Sequence, residues 1–175
     1  MPVAAVRKFD YKEQAMLRFF TFIALIALCG SAMAEQTISA LDEDDLKRLD
    51  EQRAVVTRYL TEESKPKFET APGKLGTLRA LLGAEIFKPH QTYELQSMGI
   101  VLGDVFVQDM EFSWVMVEDE YGRDPAIKYQ ETSIILFPLT MISKRIERGE
   151  AVDVFDLYNG VASIAQEKID AERAD

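Results

Sequence analysis

A chain of 175 residues carries 30 acidic against 20 basic side chains, a net charge of −10 at pH 7. Such a chain repels phosphate backbones and anionic membrane surfaces, which argues against nucleic acid and lipid as partners. One cysteine and one histidine exclude a disulfide, a thiolate metal cluster and a histidine pair on a metal, and no cofactor is expected.

The N-terminus has the three parts of an export signal. Arg18 supplies a cation, Phe19–Gly30 an apolar run, and Ala32-Met33-Ala34 a site with small residues at its first and third positions. As a helix the run spans roughly 18 Å, too short for a bilayer core of about 30 Å. Cleavage is expected between Ala34 and Glu35. Cys29 follows the large Leu28, which disfavours lipid attachment, and it leaves with the leader. Asp10 and Glu13 are foreign to a leader, so translation is expected to start at Met16. Residues 1–34 hold four basic and two acidic side chains, so their removal takes the charge to −12. Residues 35–175 then form one domain, large enough to bury an adequate core, with no stable membrane anchor. The compartment expected is the periplasm or the exterior.

Residues 35–38 read as a disordered tail. Ser39 is placed to cap a helix, with Asp42 answering it in a capping box. Leu46, Leu49, Val56 and Leu60 mark its apolar stripe, so it is expected over 41–60. The Ser64–Lys67 stretch, with Pro66, breaks it. A second helix opens at Pro72-Gly73, faces the core with Leu75, Leu78, Leu81 and Leu82, and stops at Gly83. A third is capped by Thr92 and buries Leu95, Met98, Leu102, Val105 and Phe106. Gly99 and Gly103 each cost this helix about 1 kcal/mol against alanine, and the return expected is close approach of another backbone.

From Phe112 the period changes to that of strands. Phe112–Val117, Ala126–Tyr129 and Ser133–Phe137 read as an antiparallel meander, its first turn the polar stretch Glu118–Asp124 and its second Glu131-Thr132. The third strand is apolar on both faces and expected to be well buried. Pro138 opens a fourth helix with Leu139, Ile142 and Ile146 inward and Lys144, Arg145 and Arg148 near its end, and Gly149 stops it. Asp153 and Asp156 cap a last helix with Leu157, Val161 and Ile164 inward, and its tail from Lys168 onward is expected to fray. The fold class is α+β: three N-terminal helices, a three-stranded antiparallel meander, and two C-terminal helices packed on the sheet.

Catalytic fingerprints are absent from the sequence: no G-x-S-x-G, no H-E-x-x-H, no P-loop and no dinucleotide glycine motif. His90 has the chemistry of a general base, but its Pro-containing loop favours an ordinary surface histidine. Glu118, Asp119, Glu120 and Asp124 form the densest carboxylate cluster, and Tyr121 and Arg123 lie within it. Its spacing does not match a calcium loop, and strand alternation splays its side chains, so no metal is expected. Trp114, on a strand, is expected in the core.

The runs Leu95–Asp104, Trp114–Asp124 and Leu136–Gly149 together resemble a bacterial family filed as domain of unknown function number 3806. The resemblance spans about residues 74–162, with VEDEYGRD and FPLTMISKRIERGE its most specific strings. It implies a compact α+β domain of bacterial origin and no particular activity. It further suggests that Glu118, Asp119 and Asp124 face Lys144 and Arg145. The functional expectation is an exported, non-enzymatic module that binds another protein through Glu118, Asp119, Glu120, Tyr121, Arg123, Asp124, Lys144 and Arg145. The competing expectation is a cell-envelope hydrolase acting on glycan or peptide with Glu118, Asp119 or His90.

Overall fold

A computed structural model describes residues 36–174. The expected leader, its Cys29 and the cleavage point between Ala34 and Glu35 lie outside the described residues.

The elements run β1 (Thr37–Ser39), α1 (Glu43–Thr57), α2 (Lys65–Phe68), α3 (Ala71–Gly83), α4 (Thr92–Met110), β2 (Phe112–Asp119), β3 (Gly122–Tyr129), β4 (Ile135–Leu136), α5 (Leu139–Glu147) and α6 (Val154–Ala174). The α+β class holds. The sheet has four antiparallel strands in the order β1-β2-β3-β4, one more than the meander expected. The added strand is β1, where a disordered tail was expected. Thr37, Ile38 and Ser39 pair with Glu118, Val117 and Met116.

That pairing moves Ser39 off the helix. The N-cap of α1 is Asp42, and Asp42 and Asp45 exchange backbone and carboxylate hydrogen bonds in a complete capping box. A box built on an aspartate pair three residues further on out-competes the serine that the sequence suggested. The expected break at Ser64–Lys67 contains the one-turn α2, with Pro66 in its first turn, where its missing N–H costs nothing. Thr70 caps α3 by accepting from the N–H of Gly73. Thr92 does not cap α4; Gln91 occupies that position, and the Thr92 hydroxyl donates to Glu147 on α5 at 2.9 Å.

The central element is α4, which packs against α1, α3, α5 and the sheet. Leu95, Met98, Ile100, Val101, Leu102, Val105 and Phe106 are all buried along it, which gives a helix apolar on most of its circumference. Gly99 supplies the expected close approach of another backbone, whereas Gly103 makes room for side chains instead. A Cβ on Gly99 would lie 2.5 Å from the backbone oxygens of both Pro138 and Leu139 at the start of α5; one on Gly103 would meet the Trp114 ring at 2.5 Å. Trp114 is half-buried there, and its indole N–H donates to Asp104 at 2.9 Å. Asp104 also takes both arms of Arg53 from α1, at 2.7 and 2.8 Å.

Several expectations about burial and packing change, beginning with Leu46, which was placed on the apolar stripe of α1 and is exposed. The third strand shrinks to two residues at the sheet edge. Ile134 is buried, Ile135 and Leu136 are half-buried, and Phe137 is exposed. Pro125 tolerates a strand interior because β4 reaches only Ile127 and Lys128, leaving β3 unpaired on that side of the proline. On α6 the buried positions are Val154, Tyr158, Ala165 and Ile169, while Ile164 is exposed. Of the two C-terminal helices, α5 packs on α4 and α6 packs on α3, so their main contacts are with helices and not with the sheet. The end of α6 continues in helix to Ala174, where Arg173 donates to the Tyr129 hydroxyl and lies over its ring. Among the described residues no helix is long and apolar enough to cross a membrane.

Candidate functional site

The β2–β3 hairpin turns over two residues, Glu120 and Tyr121, between the paired Asp119 and Gly122. Asp119 fixes the turn by accepting from the Tyr121 N–H at 2.8 Å. Gly122 has φ +138°, a region that L side chains rarely adopt. The polar stretch read as one long turn is therefore a two-residue tip with Glu118, Asp119, Arg123 and Asp124 on its strands. Tyr121 projects from that tip and is 88% exposed. Glu118, Glu120 and Asp124 are exposed beside it.

Arg123 leaves this acidic surface and turns toward α1. Its guanidinium grips the Asp45 carboxylate in a bidentate pair, 2.5 Å from Nη1 to Oδ1, and Arg48 donates to the same carboxylate. The Asp45 side chain is 1% exposed. The Arg123 guanidinium holds the Asp45 carboxyl far below the usual carboxylate range, against a burial that pulls the other way, with the Asp42 N–H and Arg48 assisting. The pair spans 78 positions and ties the hairpin to the first turn of α1. Two members of the predicted surface are thus engaged within the fold: Arg123 locks the hairpin and Asp119 shapes its tip.

The juxtaposition of the hairpin with the basic helix is not found. Arg145 donates to the Met141 carbonyl of its own helix at 2.6 Å. Lys144 is exposed. Among the described residues no ion pair joins Glu118, Asp119 or Asp124 to either of them. The ion pairs that the hairpin does make run from Arg123 to Asp45 and Asp42 at the start of α1, outside the segment that carries the resemblance.

Between α1, the start of α4 and the hairpin lies a cleft of about 340 Å³. Its floor is apolar: Leu49, Met116 and Leu139 are buried, and Pro125 is half-buried. Its walls carry Gln52, Gln96, Glu51, Asp124 and the half-exposed Tyr93 around the Asp45–Arg123–Arg48 cluster. Sequence reasoning reached Arg123 and Asp124 and missed the remainder. Only the polar series Arg48, Glu51, Gln52 on one flank of the first helix hinted at it.

A larger hollow of about 690 Å³ lies between the 85–89 and 149–153 loops. It contains none of the predicted site residues, His90 included. Its carboxylates are already engaged: Glu85 with Lys88, Glu150 with Arg148, and Asp153 in the cap of α6. In the cleft, by contrast, Glu51 and Asp124 make no ion pair among the described residues. Unspent polar groups over an apolar floor are the ordinary signature of a recognition site, which makes the cleft the better candidate.

Residues 74–158 match the family model described as Domain of unknown function (DUF3806), as the sequence resemblance implied. The matched segment holds α4, the hairpin and α5; β1 and α1, with Asp45, lie outside it. No curated protein matches the sequence. A crystal structure of a protein from Bacteroides thetaiotaomicron VPI-5482 aligns with a TM-score of 0.59 at 13% identity, over 75% of this chain and 49% of that one. The likeness is one of fold, and the chain spans about half the length of that protein.

Proposed function

We propose that the chain is an exported, non-enzymatic module that binds another protein through the tip of the β2–β3 hairpin and the adjoining cleft. One observation carries the reading: Tyr121, 88% exposed, stands at a convex tip between Glu118, Glu120 and Asp124. Tyrosine is among the side chains most enriched at the energetic centres of protein interfaces, and the charged neighbours supply the polar rim that surrounds such an anchor. The Asp45–Arg123 pair supports the same reading, since it holds the hairpin rigid on α1 and so lowers the ordering cost of binding. Export rests on the leader pattern in the sequence. It predicts a mature protein beginning at Glu35, which N-terminal sequencing of the secreted or periplasmic fraction checks.

The test is affinity capture of the tagged protein in its native cells, wild type against a Glu120→Ala, Tyr121→Ala variant. Both side chains are exposed and outside the structural ties, so folding is expected to be unchanged. A partner captured by wild type and lost in the variant supports the reading. Equal capture by both refutes it.

A further inference from the structure

The cleft beside the hairpin has a chemistry that selects what enters it. We infer that it receives an extended segment of a partner protein, laying an aliphatic side chain on the floor with a lysine or arginine next to it. The inference rests on the protein-binding reading above and adds the chemical class of the partner.

Three features of the cleft carry it. The floor of Leu49, Met116, Pro125 and Leu139 offers a dry seat of side-chain size within about 340 Å³. The carboxamides of Gln52 and Gln96 are half-buried and make no hydrogen bond among the described residues. A carboxamide offers one acceptor and two donors, the complement of a peptide group; no buried side-chain polar atom among the described residues lacks a partner, so these two reach solvent and are free to bond an entering backbone. Third, the charges are unequally committed. Both guanidiniums already serve Asp45, whereas Glu51 and Asp124 stand at the rim unpaired, on a protein of net charge −10. A cation on the incoming segment meets these two carboxylates, and an acidic segment is repelled by them and by Glu118 and Glu120 nearby.

The experiment is a selection of displayed random peptides of about nine residues on the purified protein. The enriched sequences are then synthesised and titrated against wild type, a Glu51→Gln, Asp124→Asn variant and a Gln52→Ala, Gln96→Ala variant. All four substituted side chains sit at the cleft wall or rim, and melting temperatures near wild type confirm folding. The expected result is enrichment of an aliphatic residue beside Lys or Arg. Loss of the two carboxylates is expected to weaken binding about fivefold, the effect of two exposed ion pairs, with the Lys/Arg preference abolished. Enrichment of acidic peptides, no enrichment, or binding unchanged in both variants overturns the inference. The two readings fail separately. If native capture survives both cleft variants but not Tyr121→Ala, the cleft inference falls and the hairpin reading stands. If capture survives every variant, both fall.

Discussion

Gly99 is where the helix packing is most open to test, because two opposing effects meet there with known sizes. In a helix interior, Gly→Ala contributes about 1 kcal/mol of stability through the backbone entropy of the unfolded chain. At Gly99 the new methyl would sit 2.5 Å from the backbone oxygens of both Pro138 and Leu139 and 2.8 Å from the Leu139 carbonyl carbon. Normal carbon–oxygen contacts lie at about 3.3–3.6 Å, so α4 and α5 must separate by nearly 1 Å. Neither oxygen belongs to a side chain that can rotate away. Overpacking of this kind costs typically 1–3 kcal/mol, and the rigid partners put it near the upper end. Gly99→Ala is therefore expected to lose about 2 kcal/mol net, or about 4–8 °C in Tm for a domain of this size. Gly76 in α3 is the control. A methyl added there would meet nothing within 4 Å, so Gly76→Ala is expected to gain about 1 kcal/mol. Thermal and urea unfolding followed by circular dichroism read both. A Gly99→Ala protein as stable as wild type refutes the close α4–α5 approach.

Asp45 is depressed far below the ordinary carboxylate range by Arg123, so its stabilisation is present above about pH 4 and is lost as pH falls further; urea midpoints from neutral to pH 2.5 should show an acid limb that Asp45→Asn flattens. Burial first, and then Asp109, raise the Tyr158 hydroxyl above its ordinary value. The stability it lends holds below about pH 10 and fades above it, and in an alkaline absorbance titration one tyrosine of six should ionise last, a component that Tyr158→Phe removes. Asp104→Ala strips the acceptor from both Arg53 and the Trp114 indole; leaving those donors unpaired should cost about 1–3 kcal/mol, read by urea unfolding with the emission of the sole tryptophan as probe.

The parts of this fold that were readable in the sequence are those set by local period. Leu95, Met98, Leu102, Val105 and Phe106 recur at helical spacing, and all are buried. Gly99 and Gly103 announced tight packing without saying against what. The parts that were not readable depend on long-range pairing. Ile38 is the only apolar residue of β1, and the strand exists because Glu118, Val117 and Met116 offer it an edge. Nothing local to Asp45 or Arg123 signals a partner 78 positions away. On α6 the sequence offers apolar residues on several sides. The large Ile164 was the obvious core candidate, but the close-packed position went to small Ala165. The site followed the same division: the hairpin charges were visible as a cluster, while the cleft depends on α1 folding back beside them.

The central claim is that the hairpin tip is where a partner docks. A photo-crosslinking amino acid in place of Tyr121, compared in living cells with the same residue in place of the similarly exposed Glu62, tests it directly. The account predicts a discrete protein adduct at position 121 that is absent at 62. No adduct at 121, or the same adducts at both positions, would contradict it.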